Sequence, residues 1–369
     1  MHGVYVSIPF CKFKCTYCNF ASGVFPRAQL ERYLAAVEAE IRAAEPVAAD
    51  SIYLGGGTPS LLSSEQIAGL FDALHERFEI SRDAESTIEA APGTFDASLV
   101  GAWKNLGVNR VSLGVQSLVE RELRATGRMH ALATVERDLA VLRGAGITDI
   151  GIDLIAGLPH QTPESWEESL EAAASLAPEH VSVYILEADE DSRLGAELLA
   201  GGARYSAGDV PSDDVIASLY VRACEFLESR GLRQYEISNF ARPGRESRHN
   251  RKYWDCAPYL GFGVDAHSYD GGSRWGNVDD LDEYIARMER GDSARASVEP
   301  VDQRRQEEER WFLGLRQNAG VALDTAGRGR FGQEIRRLAS EGLLEFHEDR
   351  VRLTPRGRLL SNEVFQAFI

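Results

Sequence analysis

Three cysteines close together near the start of the chain offer a metal site. Cys11, Cys15 and Cys18 lie within eight residues, in a chain that has 5 cysteines in all. Thiolates are soft ligands that favour zinc or iron–sulfur clusters. A structural zinc site needs four ligands, usually from two paired motifs, and no second Cys-x-x-Cys pair occurs here. The spacing therefore favours a cubane cluster with one iron left open to the amino and carboxylate groups of a methionine; zinc or a chance grouping is the alternative.

A run of three glycines offers a second chemically capable feature. The sequence GGGTP, at 55–59, follows a short β-rich run. Glycine lets a backbone approach a ligand without interference from a Cβ atom. One or two glycines would suit an ordinary turn, but three followed by Thr-Pro after a strand favour a ligand loop. Further polar residues stand at or after predicted strand ends, namely Glu89, Gln116, Arg128 and Asp153. Each alone could cap the next helix, but together they favour one binding site.

Another group of candidate ligands lies in the sequence SRHNRKYW. His249 and Tyr253 are four residues apart, so they share one face of a helix. Imidazole and phenolate both ligate haem iron, and aromatic surroundings suit a porphyrin face. The alternative is a buried network of His, Asn and Tyr that ties two parts of the protein together. The residues alone leave both interpretations open.

The elements that must position these residues alternate regularly in the first half of the chain. Short β-rich runs are predicted at 4–8, 51–54, 86–89, 110–115, 149–155 and 180–186. Helical patterns lie between them, for example at 27–44, 65–78, 132–145 and 163–176. Near-continuous apolar strands that alternate with helices imply a parallel sheet covered by helices. We therefore expect an α/β fold, a partial (β/α)6 barrel with its chemistry at the C-terminal strand ends.

The second half of the chain is less regular. A Gly- and Ala-rich stretch at 195–211 predicts a linker or mobile loop, and a helix is predicted at 213–229. From about Gln303 the pattern is helix, helix and short strands, which is typical of a winged helix. We therefore expect a barrel at 1–205, a linking region at 206–300 and a smaller C-terminal α+β, winged-helix-like domain at 301–369.

Charge and hydropathy limit the possible partners. The chain has 40 basic and 57 acidic residues, and its net charge of −17 disfavours nucleic acid and anionic membranes. No window approaches the roughly 20 apolar residues of a membrane span. The N-terminal sequence MHGVYVSIPF lacks the features of a signal peptide. We expect a cytoplasmic protein, because a reducing compartment keeps cysteines free for a metal.

These motifs together carry a family resemblance. The pattern CxxxCxxC, with an aromatic residue before its last cysteine, is similar to the signature of the radical-SAM superfamily. The sequences YVSIPFCKFKCTYCNF, GGGTPS, GVQS and DLIAGLPHQTPESW resemble its oxygen-independent coproporphyrinogen-oxidase-like branch. The resemblance covers essentially the whole chain. It implies a [4Fe–4S] cluster on the three cysteines, S-adenosyl-L-methionine (SAM) at the open iron, and the possibility of reductive SAM cleavage.

The resemblance also implies which residues contact SAM. Gly56, Gly57 and Thr58 would cradle the methionine amino group. Tyr17 would stack on the adenine, and Tyr5 would point from the first strand toward the same site. Four further positions match polar SAM contacts of the family, namely Glu89, Gln116, Arg128 and Asp153. The guanidinium of Arg128 is suited to bind a carboxylate.

Two features of the resemblance point to its haem-chaperone branch. His249, Asn250 and Tyr253 form an HNxxY motif, which that branch associates with haem binding; His267 is a second candidate ligand. Dehydrogenases of the family carry a cysteine where this chain has Phe20, and a long extension before the first strand. Both differences favour a protein that binds haem and transfers it to an acceptor haem protein, for example a respiratory one. Coproporphyrinogen III dehydrogenase, which decarboxylates its substrate oxidatively in haem biosynthesis, or another radical-SAM oxidoreductase is the alternative.

Overall fold

The computed structural model describes all residues, 1–369, and begins with regularly alternating strands and helices. These elements are, in chain order, β1 (His2–Ile8), α1 (Arg27–Ala43), β2 (Ala48–Gly56), α2 (Ser64–Arg77), β3 (Glu79–Ala90), α3 (Ala97–Asn105), β4 (Arg110–Gln116), α4 (Glu120–Ala125), α5 (Leu132–Gly144), β5 (Asp149–Ala156), α6 (Pro163–Ser175) and β6 (His180–Ile185). Every strand and helix predicted for this half is present. The largest difference is at β3, which begins at Glu79, before the apolar run that predicted it.

The six strands form a parallel sheet in chain order, from β1 to β6. Apolar side chains such as Leu54 and Ile88 are fully buried, in one core with Trp103 and Trp166 of the covering helices. Because side chains alternate along a strand, the residues between them face the interior of the barrel. The predicted α/β fold with a partial (β/α)6 barrel is therefore confirmed.

Further strands extend this sheet at both edges. The elements that follow β6 are α7 (Arg193–Leu199), α8 (Asp213–Ser229), β7 (Arg233–Gln234), β8 (Asn239–Ala241), α9 (Arg248–Trp254), β9 (Tyr259–Phe262), β10 (His267–Tyr269), β11 (Ser273–Asn277), α10 (Leu281–Glu289) and β12 (Arg295–Pro300). Beyond β6 come β8 and β7, and on the other side of β1 come β9, β10, β11 and β12. The predicted boundaries of the linking region stay a prediction.

The stretch 195–211 is more ordered than its composition suggested. Helix α7 covers its first residues, and a short 3₁₀ segment lies at Arg204–Asp209. The Ser192 side chain caps α7 by accepting from the backbone N of Gly195. Leu194 is fully buried. The prediction of a loop throughout was therefore wrong, because a cap and one buried leucine are enough to fix a helix in a Gly-rich segment.

The C-terminal part has its own core. Its elements are α11 (Gln303–Gly314), β13 (Val321–Ala322), α12 (Thr325–Ser340), β14 (Leu344–His347), β15 (Arg350–Leu353), α13 (Pro355–Leu359) and α14 (Ser361–Gln366). The three strands form an antiparallel sheet in the order β13, β15, β14. Trp311 stacks on Phe368 with ring centroids 5.3 Å apart. This arrangement confirms the predicted C-terminal α+β domain.

None of the helices combines the length and apolar character that a membrane crossing requires.

Candidate functional site

A cavity of about 630 Å³ opens at the C-terminal ends of the barrel strands. The predicted residues that line it are Cys11, Cys15, Tyr17, Cys18, Gly56, Gly57, Thr58, Glu89, Gln116, Arg128 and Asp153. Tyr5 lines a smaller hollow of about 110 Å³ that shares Gly56 and Glu89 with the cavity. The structure therefore brings the predicted cluster and SAM residues to one place.

The cysteine loop is held by backbone hydrogen bonds from three directions. Cys11 N donates to Gly23 O at 2.8 Å, and Thr16 N donates to Thr126 O at 3.2 Å. Leu194 N, on α7, donates to Thr16 O at 2.8 Å. A loop that is ordered before its ligand binds avoids part of the entropy cost of binding. The loop is thus preorganised to present its thiols to the cavity.

The three thiols have the donor chemistry of an iron–sulfur site. Cys11, Cys15 and Cys18 are free and half-buried on the cavity wall. No group of three or more His, Cys, Asp or Glu side chains converges closely enough to hold a single metal ion. Three cysteine thiols without a fourth protein ligand fit a [4Fe–4S] cluster with one open iron better than a four-coordinate structural zinc site.

Two glycines of the GGGTP loop are required by the packing of the chain itself. A Cβ on Gly57 would lie 2.7 Å from Ile8 O, and Gly56 has a φ of +100°. A Cβ on Gly56 would also stand 3.2 Å from the hydroxyl oxygen of Tyr5. The loop thus lies directly against the end of β1, while both glycines still line the cavity. Close packing alone explains these glycines, and the sequence could not separate that need from approach to a ligand.

Glu89 is a half-buried residue at the end of β3, and it lines the cavity. Tyr53 Oη donates to its Oε1 at 2.8 Å, and Gly56 N donates to its Oε2 at 3.1 Å. Burial raises the pKa of Glu89 to about 7, although both hydrogen bonds oppose the change. The folded protein holds this proton more tightly than the unfolded chain. The contribution of Glu89 to stability is therefore lost as the pH rises from about 4.5 through about 7.

We expect this carboxyl to make SAM binding depend on pH. SAM carries an ammonium and a sulfonium, so the ionised form of Glu89 should bind it better than the neutral form. Raising the pH from 6 to 8 should tighten SAM binding to the wild type by up to about tenfold more than it changes SAM binding to Glu89→Gln. The two proteins should differ because the amide of the variant does not titrate. Anaerobic calorimetric titration of both proteins measures the difference. Parallel pH profiles would show that Glu89 does not face the bound cation.

Gln116 ends β4 in an unusual conformation. Its φ is 71°, in the left-handed region that residues other than glycine seldom adopt. Its Oε1 is buried without a hydrogen-bond partner. Backbone strain and unpaired buried polar groups are concentrated at ligand sites. Because Gln116 lines the cavity, its side chain is available to a polar ligand such as SAM.

Arg128 and Asp153 place opposite charges on the same cavity. Arg128 Nε donates to Tyr17 Oη at 3.0 Å, and its Nη1 donates to Gly114 O at 2.6 Å. Asp153 accepts from Ser112 Oγ at 3.1 Å, and burial raises the pKa of its carboxyl. The sequence did not reveal the hydrogen bond from Arg128 that fixes Tyr17. Stacking of the SAM adenine on the Tyr17 ring stays a prediction. A ligand with both a carboxylate and cationic groups, as SAM has, matches this distribution of charge.

The HNxxY residues lie at the opposite end of the barrel, on α9. Glu85, near the middle of β3, accepts from the backbone N of His249 at 3.0 Å. His249 Nδ1 is 3.0 Å from Ser51 Oγ, and its Nε2 is 2.8 Å from Tyr253 Oη. The imidazole also stacks on Tyr53, with centroids 5.1 Å apart. Helix α9 thus closes this end of the barrel, and burial lowers the pKa of His249 to about 3.

This arrangement matches the interpretation of the motif as a buried network. Both ring nitrogens of His249 have partners, and neither His249 nor Tyr253 lines the cavity. Asn250 is held through its backbone N, which donates to Ser247 Oγ at 3.2 Å. Haem ligation by His249 needs Nε2 to exchange Tyr253 for iron, so it stays a prediction for a rearranged state. The side chain of His267 is 70% exposed on β10.

The sequence did not reveal the residues that the second half of the chain adds to the cavity. Tyr220 on α8, Arg316 after α11 and Arg358 on α13 all line it. The C-terminal domain is rich in arginine, and the spacing of Arg316 and Arg358 does not distinguish them from its other arginines. Only the packing of this domain against the barrel brings them to the cluster side.

Comparison with known families gives matches at both ends of the chain. A model described as Radical SAM superfamily matches residues 5–173, and one described as HemN C-terminal domain matches residues 301–360. The first range contains the cysteine loop and the GGGTP loop. The second contains most of the C-terminal domain, including Arg316 and Arg358.

Individual relatives are similar over the whole chain. The heme chaperone HemW of Bacillus subtilis (strain 168) is 38% identical, with 100% of this chain and 99% of that protein covered. The Mycobacterium tuberculosis protein of the same name is 33% identical, with 100% and 94% covered. Among solved structures, coproporphyrinogen III oxidase (HemN) from Escherichia coli, described as a radical SAM enzyme, superposes with a TM-score of 0.87. It is 27% identical, with 99% of this chain and 89% of that chain covered.

Proposed function

Because the chain belongs to the radical SAM superfamily and, within it, to the family of heme chaperone HemW proteins, we propose that it binds haem and transfers it to an acceptor haem protein. Similarity to proteins of that name along the full length of the chain carries the proposal. A respiratory haem protein is the kind of acceptor that we propose, and the cytoplasm is the proposed place of transfer.

The cavity supports the two cofactors that the superfamily implies. Cys11, Cys15 and Cys18 would hold a [4Fe–4S] cluster, and they line the same cavity as Gln116, whose Oε1 has no hydrogen-bond partner. Arg128 would bind the carboxylate of SAM. The chemistry that such a cluster and SAM supply when bound is one-electron cleavage of the SAM carbon–sulfur bond. The protein's own part is to orient SAM and to exclude water.

The position of Phe20 supports the chaperone over the dehydrogenase. The family's dehydrogenases carry a cysteine at this position, as the resemblance implies. Phe20 lines the cavity next to the cluster loop and is 63% exposed. A phenyl ring offers neither a thiolate nor an acid or base to a substrate in the cavity. We therefore propose that the chain does not decarboxylate coproporphyrinogen III.

Haem titration tests the proposal and the role of HNxxY together. We expect the wild type to bind about one haem per chain, because it has one such motif. If His249 ligates the iron, His249→Ala should weaken binding and shift the Soret band. Cluster content should stay unchanged, since the motif lies at the other end of the barrel from the cysteine loop.

Arg251→Gln is the matched control, because Arg251 is exposed on the same helix and is not one of the candidate ligands. If haem still binds to His249→Ala with an unaltered Soret band, His249 is not the iron ligand and the buried-network interpretation of the motif holds. The chaperone proposal stands in that case. A wild-type protein that binds no haem, or cannot pass it to an apo-haem protein, would contradict the proposal itself.

A further inference from the structure

The wall of the cavity that faces the cluster loop is formed by the second half of the chain. Beyond the end of β6 it includes Tyr220, Ile237 and Ser238, together with Arg316 and Arg358 of the C-terminal domain. The cysteines and the SAM residues belong to the barrel. The cavity is therefore larger than the cofactor site, and its outer wall is open to a second ligand.

Arg316 is fixed in place but keeps free donors. Its backbone O accepts from Ile237 N at 3.1 Å, and its guanidinium lies 4.3 Å from the centroid of the Trp254 ring. Its Nη2 is 3.7 Å from Glu236 Oε2, which is an ion-pair distance and too long for a hydrogen bond. Its Nε is buried without a partner. A positioned guanidinium with unused N–H groups is ready to bind an anion.

Arg358 is the second cation on this wall. Its Nη1 donates to Asn318 Oδ1 at 3.3 Å, and it forms none of the ion pairs found in the structure. Its position beside Tyr220, on the cavity wall, gives an anionic ligand access to it.

Between these arginines and the cofactor site lies an apolar strip at the end of β6. Tyr184 is 43% exposed and Ile185 is 38% exposed, and both line the cavity. Large apolar side chains left open beside two guanidiniums suit a ligand that has a flat apolar body and carboxylate groups at its edge. A tetrapyrrole with acidic side chains has this chemistry.

We propose that Arg316 and Arg358 bind the carboxylate substituents of the tetrapyrrole while its ring lies against Tyr184 and Ile185. This inference rests on the proposed haem function and names the recognition site for the cargo. A guanidinium binds a carboxylate through two parallel hydrogen bonds, which orients the cargo as well as holding it. This position is an alternative to ligation by His249, because neither His249 nor Tyr253 lines the cavity.

Comparison of haem with haem dimethyl ester tests the proposal without any variant. The ester keeps the ring and the iron and removes the negative charges. We expect the reconstituted wild type to bind haem at least about tenfold more tightly than the ester, since the ester loses the charge-assisted hydrogen bonds to both arginines and each is worth at least this factor. Equal affinities would overturn the inference and leave the haem function standing. If neither ligand binds, the proposed function fails, and the inference fails with it.

Arg358→Gln should weaken haem binding by about the same factor and leave the ester unaffected. Arg316→Lys should also weaken haem binding. The lysine keeps a positive charge for buried Glu236 but lacks the planar guanidinium that binds a carboxylate through two hydrogen bonds. Arg328→Gln, at an exposed position of α12, is the matched control and should change nothing. SAM affinity should be normal in all three, which separates this site from the carboxylate of SAM. Normal haem affinity in both cavity variants would overturn the assignment.

Discussion

Replacing Cys11, Cys15 or Cys18 by Ala is expected to abolish the cluster. Each thiolate would bind a different iron, and the cavity wall offers no other cysteine to replace one that is lost. After anaerobic reconstitution, the wild type should show broad visible absorbance with matching iron and sulfide content. Each variant should lose most of both signals, because a cubane held by two thiolates is open to solvent at two irons.

Cys224 and Cys256 provide the controls for this prediction. Both are free and half-buried, and neither lines the cavity. Burial raises the pKa of each thiol to about 11, so neither is poised to act as a thiolate ligand. Ala at either position should leave iron and sulfide unchanged. A wild-type protein that contained zinc and no sulfide would contradict the account at its base.

Removing a charge from the SAM site should have the second largest effect. Arg128→Gln takes away the proposed partner of the SAM carboxylate, and Asp153→Asn takes away a carboxyl on the cavity wall that is the proposed partner of the cationic groups. Loss of one partner of a buried, hydrogen-bonded charge pair costs about 2–5 kcal/mol. Anaerobic calorimetric titration should therefore show SAM binding that is weaker by an amount in this range for Arg128→Gln, and weaker in the same direction for Asp153→Asn.

Arg124→Gln is the control, because this arginine is exposed and pairs only with Glu120 on the same helix. Arg128 also holds Tyr17 beside the cysteines, so iron content must be measured in the same samples. Weak SAM binding with a full cluster is the expected result. If both variants bind SAM like the wild type, the SAM site lies elsewhere.

The barrel and its cofactor residues were predictable because their signals are local. Buried parallel strands appear as continuous apolar runs, and caps such as Ser63 and Thr162 mark the helix starts. Residues at C-terminal strand ends must converge once the sheet is parallel. From the sequence alone, that rule predicted that Glu89 and Asp153 lie in one site.

Longer-range features could not be predicted in this way. Strands β7 and β8 have two and three residues, which are too few for a period to show. They exist because β8 pairs with the edge of β6 and β7 pairs with β8. The spacing of His249 and Tyr253 predicted that they share one helix face. It could not predict that this face closes one end of the barrel. The cavity arginines depend on how two domains pack, which no motif encodes.

The most direct test of the central claim offers haem and coproporphyrinogen III separately to one anaerobically reconstituted preparation. With SAM and a reductant present, the account predicts about one bound haem per chain, set by its single HNxxY motif and one cavity, and coproporphyrinogen III recovered unchanged. Oxidative decarboxylation of coproporphyrinogen III by the wild type would contradict the account, even if haem also bound.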